Sequence, residues 1–374
     1  MKRILFLLIL VPALALAEPM ISPTWGFKMD LPEGYEYAGG DGKDRFSFSG
    51  PGGTMFDIVV YNGVYGSVKE LAEDAAKRIG NRGDVDYFQY GDKQAAIMEL
   101  AFDKSGGWGL CVELAGSAAG TKRPMLLALA YGPADNRGLH LFHFSALDSI
   151  VPSEDERRSP GPITEYGYPR GEMKQAALGS SGINAMIREN DAEAAQALVE
   201  REFNVLKSYV STANWQKAWL RYYRLIYRDS FGRIADAAAA LVSSWGGNAL
   251  GNAEAKMRFA QRALAFVQGF KYERHPEGSD FVNLVSAVTE GRGDCDSRAM
   301  LWAMILANAD IQAAMMVSPK HSHAMGLADI DGTGARFEAY GIKWLVAETT
   351  ANVNIGLIAE DVSDPAAWLG VVFE

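Results

Sequence analysis

Residues 289–306 read TEGRGDCDSRAMLWAMIL, a turn marked by two glycines and followed by a run of apolar residues. The glycines predict a turn and the apolar run predicts a buried helix. Cys295 would lie in the first turn of that helix, where free N–H groups and the positive end of the helix dipole favour a thiolate. Asp294 and Asp296 oppose the thiolate, so the sequence leaves the pKa of Cys295 open. The stretch therefore predicts a helix that presents one thiol at its start.

Two other residues, both later in the chain, could act together with this thiol. His323 lies in KHSHAM, residues 320–325, and Glu348 lies in WLVAETT, residues 344–350. A thiol, an imidazole and a carboxylate are the three groups of a nucleophilic triad. We expect His323 on a strand, with a hairpin turn at residues 331–334 that brings Glu348 onto a neighbouring strand. The pattern indicates a cysteine-based acyl-transfer site.

The first residues are typical of a secretory signal peptide. Lys2 and Arg3 precede an apolar stretch from Ile4 to Leu16, and a small-residue site allows cleavage after Ala17. The apolar run is too short to span a membrane. We therefore expect residues 1–17 to be removed and the protein to be periplasmic or secreted.

Composition excludes two classes of partner. The formal net charge is −10, which gives no electrostatic footprint for nucleic acid. No later stretch is long and apolar enough for a membrane span. Hydrophobic residues make up 48% of the chain, and its length suggests two or three domains, each with an adequate core.

Other interpretations of Cys295 stay open at this point. It could be a buried structural thiol, since unpaired cysteines often pack inside proteins. It could bind zinc together with His321 and His323, although no second cysteine supports such a site. Export would also permit a disulfide with Cys111, the other cysteine of the chain, although a protein of this size has no need of one.

Residues 20–150 predict an α+β domain. Its strand-like segments are Phe46–Phe48, Met55–Tyr61, Ala95–Phe102, Gly109–Leu114 and Met125–Tyr131. Helical spacing appears at Val68–Ile79 and at Leu139–Ile150. An antiparallel meander flanked by two helices fits this order. With its opening WGFKMDLPEG at residues 25–34 and its closing helix, the segment resembles the PsbP/Mog1-like sandwich. That resemblance implies a binding or scaffolding module that could take a partner protein.

Residues 151–172 predict a linker, because four prolines at this density disfavour both helix and central strand. A helical region follows, with helices expected at residues 192–210, 215–227, 232–245 and 253–270. The second of these carries an aromatic-rich stripe: Trp215, Trp219, Tyr222, Tyr223, Ile226 and Tyr227. Aromatic residues at helical spacing favour a buried core over a carbohydrate or peptide platform.

The C-terminal unit, residues 173–374, resembles the transglutaminase-like superfamily over about residues 253–350. The motifs that carry the resemblance are Gln268-x-x-x-Tyr272, the Gly-Asp-Cys-Asp turn before a helix, His323-Ala, and a tryptophan followed by Glu348-Thr-Thr. The resemblance implies a papain-like core with Cys295 as nucleophile, His323 as general base and acid, and Glu348 orienting the imidazole. Many members of the superfamily carry aspartate at the third position, and the longer glutamate can still accept the imidazole N–H.

The same resemblance implies acyl transfer through a thioester on Cys295, with a protein or peptide substrate and with no cofactor and no metal. Water would resolve the thioester in a peptidase or amidase, whereas an amine would resolve it in a cross-linking transglutaminase. We favour hydrolysis because the sequence is predicted to be exported and carries no calcium-loop motif. A non-catalytic scaffold of the transglutaminase-like type is the remaining alternative.

Overall fold

The computed structural model describes residues 19–115, 123–274 and 278–373. The predicted signal peptide, residues 1–17, lies outside them. None of the helices in this part of the chain has the length and apolarity that a membrane crossing requires. Helices and antiparallel sheets are both present, which confirms the α+β class.

The first half of the chain forms a large sheet with helices on both faces. Its elements are β1 (Met20–Ile21), β2 (Lys28–Met29), β3 (Glu36–Gly40), β4 (Arg45–Ser49), β5 (Met55–Tyr61), α1 (Val68–Ile79), β6 (Val85–Tyr90), β7 (Lys93–Phe102), β8 (Ser105–Glu113), β9 (Met125–Pro133), α2 (His140–Asp148) and α3 (Pro162–Gly167). All five predicted strand segments and both predicted helices are found here, with shifts of a few residues at their ends.

The large sheet is antiparallel, and within the described residues its seven strands run in the order β3-β4-β5-β9-β8-β7-β6. It therefore consists of two meanders joined by the pairing of β5 with β9, rather than one continuous meander. Leu147 of α2 belongs to the core on one face and Leu71 of α1 to the core on the other. Because both faces are covered, β7 to β9 are apolar along most of their length.

Residues 151–172 are packed against the rest of the protein. The prediction that their prolines exclude helix was wrong for α3, which has Pro162 in its first turn, where the missing N–H costs nothing. The backbone N–H and hydroxyl of Thr164 donate to Asp148 at 2.8 and 2.6 Å. Buried Glu156 accepts a hydrogen bond from Lys93 Nζ at 2.5 Å. These contacts order the segment.

The second half of the chain begins with helices and ends with a sheet. Its elements are β10 (Met173–Ala177), β11 (Asn184–Arg188), α4 (Asp191–Lys207), α5 (Trp215–Arg233), α6 (Ala235–Ser244), α7 (Ala253–Gln268), β12 (Lys271–Tyr272), α8 (Leu284–Glu290), β13 (Arg292–Gly293), α9 (Cys295–Ala307), β14 (Ala313–Ser318), β15 (His323–Ala328), β16 (Arg336–Ala339), β17 (Ile342–Ala347) and β18 (Leu369–Val372). The four predicted helices correspond to α4 to α7. Helix α8 has no counterpart among the helices expected from the sequence.

Helix α9 is the centre of the second half. Its residues from Ser297 to Leu306 are all buried, as expected for a helix that is apolar on every side. The indole Nε1 of Trp302 donates to the carbonyl of Ala260 on α7 at 3.1 Å. On the other side, a Cβ at Gly326 would lie 2.4 Å from the Trp302 ring, so β15 can approach α9 only because that position is glycine.

The second sheet has the order β16-β17-β15-β14-β18 and is antiparallel in its described strands. The predicted hairpin at residues 331–334 is wrong, because β16 pairs with β17 and not with β15. Strand β17 lies between them, and its Ala347 pairs with Gly326 of β15. This register places the end of β17 beside the start of β15.

Candidate active site

The turn before α9 is fixed by polar contacts on both sides of Cys295. Asp294 is the N-cap, and its carboxylate accepts from the backbone N–H of Ser297 at 2.9 Å and from the Ser297 hydroxyl. The buried guanidinium of Arg298 donates to the carbonyls of Gly293 at 3.0 Å and Phe270 at 2.6 Å. Cys295 is consequently the first helical residue, as the sequence predicted.

The thiol of Cys295 is held in its neutral form. It is only 4% exposed and donates a hydrogen bond to Asp296 Oδ1 at 3.3 Å. Burial raises the pKa of the thiol strongly, and the charges of Asp296 and Asp294 raise it further. The backbone N–H of Ala324 opposes part of this shift. The thiolate-favouring effect expected from the helix N-terminus is therefore outweighed.

The two aspartates beside the thiol share one buried, crowded site. One side-chain ligand atom each from Asp294, Cys295 and Asp296 lies within 4.8 Å of the others. Burial raises the pKa of both carboxyl groups, and repulsion from Asp296 adds to the shift of Asp294. The hydroxyl of Tyr223 donates to Asp296 Oδ2 at 2.5 Å and favours its ionised form.

His323 and Glu348 form a hydrogen-bonded pair. His323 begins β15, Glu348 directly follows β17, and the imidazole Nε2 lies 2.8 Å from Glu348 Oε2. Thr350 binds the other carboxylate oxygen, with its N–H at 2.7 Å and its hydroxyl at 2.6 Å. Burial raises the pKa of Glu348, but the hydrogen bonds and charge of His323 and the contacts with Thr350 outweigh it, so the net pKa shift is downward.

Gln268 fixes the backbone that carries this carboxylate. Its side-chain amide donates to the backbone carbonyls of Glu348 at 2.8 Å and Val353 at 2.9 Å. The sequence singled out Gln268 as part of a motif without assigning it a role. In the structure it fixes the chain at the end of β17.

Cys295 and His323 line one cleft with a volume of about 400 Å³. The imidazole Nε2 is occupied by Glu348, so Nδ1 is the nitrogen left to exchange a proton with groups in the cleft. Of the three predicted residues, His323 and Glu348 are hydrogen-bonded to each other, and Cys295 lines the same cleft as His323, with its thiol bonded to Asp296 and not to the imidazole.

One wall of the cleft comes from the aromatic stripe of α5. Trp215 and Trp219 line the cleft, whereas Tyr222 and Tyr227 are buried in the core. The rings of Trp215, Trp219 and Tyr223 follow one another at centroid distances of 6.1 and 6.0 Å. The sequence predicted a core role for the whole stripe; Trp215 and Trp219 do pack against core residues, but they are only partly buried and also line the cleft.

Trp368 is a site residue that the sequence did not indicate. Its buried indole lies 5.7 Å from the ring of His321 and 6.2 Å from that of His323, and its Nε1 donates to the Val362 carbonyl at 2.9 Å. It lies beyond residue 350, where the motifs end. The signal that could have found it is a tryptophan just before a short apolar strand.

The structure also bears on the disulfide and the zinc site that the sequence left open for Cys295. Both cysteines are free, so they form no disulfide, and Cys111 is buried in β8. The possible metal-binding cluster found in the described residues contains the two aspartates with Cys295, not His321 or His323. The imidazole of His323 contacts Glu348 instead.

Comparison with known proteins adds little. No protein-family model matches the sequence, and no curated protein matches it. Among solved structures, a chain from Parabacteroides distasonis described as a "putative protease" matches with 10% sequence identity, covering 83% of this chain and 68% of that one, at a TM-score of 0.22. At this TM-score the match supports no argument about fold or function.

Proposed function

We propose that this protein is a transglutaminase-like cysteine enzyme that transfers acyl groups through a thioester on Cys295, chiefly by hydrolysing peptide or amide bonds. We propose in addition that it acts in the periplasm or outside the cell, because its first residues are typical of a signal peptide. The observation that carries the proposal is the cleft that Cys295 shares with His323, whose imidazole is fixed by Glu348.

The reaction begins from a neutral thiol. Nδ1 of His323 accepts the thiol proton as the sulfur attacks the substrate carbonyl carbon, and Glu348 stabilises the resulting imidazolium through Nε2. The free N–H of Cys295 in the first turn of α9 can donate to the developing oxyanion. The imidazolium then gives its proton to the departing amine, which leaves a thioester on Cys295.

Water completes the cycle in the proposed hydrolysis. His323 takes a proton from water as the oxygen attacks the thioester carbon, and the same proton returns to the sulfur when the acid product leaves. An amine in place of water would give a cross-linked product through the same groups. Because the thiol is protonated at rest, His323 is required in every acylation.

One observation favours a second candidate, a non-catalytic binding protein of the same type. The thiol proton is donated to Asp296, and burial together with two carboxylates raises the pKa of Cys295. A thiol kept neutral in this way is a poor nucleophile without a base. In that case the cleft, with its two tryptophans, would bind a protein segment without cleaving it.

The test is to incubate the protein with a mixture of denatured proteins and to identify new peptide ends by mass spectrometry. A biotinylated primary amine is added in a parallel sample to detect transfer. Hydrolysis predicts new ends that disappear with Cys295→Ala, and cross-linking predicts amine incorporation that disappears with the same variant. Neither product from the wild-type protein, with intact binding to the substrate mixture, would support the binding protein instead.

A further inference from the structure

A second cavity lies between the two halves of the molecule. Its volume is about 80 Å³, and it shares no lining residue with the Cys295 cleft. Residues around β2 and the end of α2 form one side, and α5 with Phe373 forms the other. Five cationic side chains line it: Lys28, Arg157, Arg158, Arg224 and Arg228.

The carboxylates of the described residues do not balance these cations. Asp30 pairs with Arg224 at 2.9 and 3.1 Å. Glu154 lies 3.2 Å from Lys28 Nζ and 3.0 Å from Arg157 Nε. In the described chain, no carboxylate lies within 4 Å of the guanidinium groups of the two remaining arginines, Arg158 and Arg228. The cavity therefore carries excess positive charge inside a protein of formal net charge −10.

Several guanidinium N–H groups at this cavity lack an acceptor. The Nε atoms of Arg157, Arg158 and Arg228 are out of solvent contact and have no hydrogen-bond partner among the described residues. The contact of Arg157 with Glu154 is close but is not aligned as a hydrogen bond. These Nε atoms do not face the cavity. The terminal guanidinium nitrogens of Arg157 and Arg158, which both line it, also make no hydrogen bond within the described residues, so charged donors remain available to an anion bound there.

Two of the arginines are held in position by contacts other than ion pairs. The guanidinium of Arg228 is fixed by the carbonyls of Asp148 at 2.9 Å and Ile150 at 3.0 Å. That of Arg158 lies 4.2 Å from the centroid of the Phe231 ring. Both cations are thus positioned without a counter-charge.

We propose that this cavity binds a small oxyanion, a carboxylate or a phosphate group with at most a short apolar portion. The planar arginine forks match the oxygens of either group, and the volume admits only a few non-hydrogen atoms. Met29, Leu225 and Phe373 supply an apolar wall for the rest of the ligand. Because the cavity is lined by both halves, the bound anion joins the segments around β2 and after α2 to α5.

The test is calorimetric titration of the purified full chain with inorganic phosphate and, separately, with acetate, at constant ionic strength set with chloride. Thermal unfolding is followed in the same solutions, since a ligand that binds only the folded state raises the melting temperature saturably. Arg158→Met keeps the apolar contact with Phe231 and removes a charge. Arg78→Met, on the exposed face of α1, is the matched control.

Saturable binding of at least one oxyanion is expected, weakened roughly tenfold or more by Arg158→Met and unchanged by Arg78→Met. Binding of acetate alone would identify the ligand group as a carboxylate, and binding of phosphate alone would identify it as a phosphate. Binding of both would support a general oxyanion site. Because phosphate stabilises many proteins without binding, an unsaturable rise that is equal in all three proteins would overturn the proposal and indicate a hydrated cavity only. Arg228→Gln, compared by affinity rather than by stability, gives a second reading should Arg158→Met fail to fold.

Discussion

At the scale of single residues, the neighbours of Cys295 decide its chemistry more than the helix on which it lies. A helix N-terminus lowers the pKa of a thiol, and the sequence places Cys295 there. Burial and the carboxylates of Asp296 and Asp294 act in the opposite direction and are stronger. In the proposed reaction His323 therefore supplies the base, and the carboxylate of Asp296 limits how reactive the resting thiol can be.

Asp296→Asn should make Cys295 more reactive. Removing the neighbouring charge lowers the pKa of the thiol, so the rate of alkylation by iodoacetamide at neutral pH should rise. The rate is measured by peptide mass spectrometry. Asp310→Asn, at an exposed position with positive φ that asparagine tolerates, is the control and should leave the rate unchanged. An unchanged or slower rate in Asp296→Asn would show that Asp296 does not restrain the thiol.

Glu348→Gln should reduce acyl transfer strongly while leaving the cleft intact. A neutral amide cannot stabilise the imidazolium, so turnover of an activated ester should fall by roughly 10²- to 10⁴-fold, the usual range for an acid–base group. Glu348→Asp, which restores the charge with a shorter reach, should recover part of the activity. Equal turnover by Glu348→Gln and the wild-type protein would show that Glu348 takes no part in acyl transfer.

The difference in stability between the wild-type protein and Glu348→Gln should also depend on pH. The pKa of Glu348 is lowered below its ordinary value of 4.5, so ionised Glu348 stabilises the fold above that value and the stabilisation is lost as the pH falls through the lower, folded-state pKa. The free energy of unfolding of the wild-type protein should exceed that of Glu348→Gln at neutral pH. The difference should shrink in acid, as measured by urea unfolding. A difference that grows on acidification would contradict the assigned shift.

The residues of the site were more predictable than their environment. Cys295, His323 and Glu348 each stand next to local signals in the sequence, namely a glycine turn, a strand start and a strand end. The hydrogen bonds from Tyr223 to Asp296 and from Gln268 to the Glu348 carbonyl join residues more than 70 positions apart. Contacts of that kind depend on how α5 and α7 pack, and no local pattern encodes them.

At the scale of elements, α5 serves the core and the cleft with different parts of one aromatic stripe. Its inner aromatics pack beneath α9, while Trp215 and Trp219 reach the cleft together with Val210, which is 70% exposed. An aromatic wall beside the proposed nucleophile would favour a substrate with an apolar or aromatic group near the reacting carbonyl. The spacing of the aromatic residues predicted the position of α5. It could not show which of these residues lie wholly in the core and which also line the cleft.

Trp219→Ala should change acyl-group preference without changing the chemistry. The wild-type protein should react faster with an activated ester of an aromatic acid than with the acetate ester, and the variant should lose this preference while keeping its rate with acetate. Rates are measured from release of the leaving group. Phe102→Ala, in the sheet of the first half, offers a matched loss of an aromatic ring away from the cleft. Retention of the preference in Trp219→Ala would place the acyl group elsewhere.

At the scale of the whole molecule, the two halves are joined by a buried polar network. Glu202 of α4 is central to it: it accepts from Ser145 Oγ at 2.7 Å, from Arg221 at 3.0 Å and from Arg201 at 2.7 Å. Arg221 also donates to the Asp30 carbonyl at 2.7 Å. The sequence predicted a proline-rich linker between separate units, because composition shows where prolines lie but not the interface against which they pack.

Glu202→Ala should destabilise the whole protein. Both arginines would lose a buried partner, and breaking a buried ion pair in this way costs about 3–5 kcal/mol. The free energy of unfolding is measured in urea, with Glu193→Ala, an exposed position on the same helix, as the control. A loss no greater than that of Glu193→Ala would show that the network contributes little to holding the halves together.

The most direct test of the proposed site is the rate at which Cys295 itself becomes acylated. The protein is mixed with p-nitrophenyl acetate near neutral pH, and acetylation of each peptide is followed by mass spectrometry, with buried Cys111 as the internal reference. We predict rapid acetylation of Cys295 that slows by roughly 10²-fold or more in His323→Ala. Acetylation of Cys295 at the same rate in the wild-type protein and in His323→Ala would contradict the account.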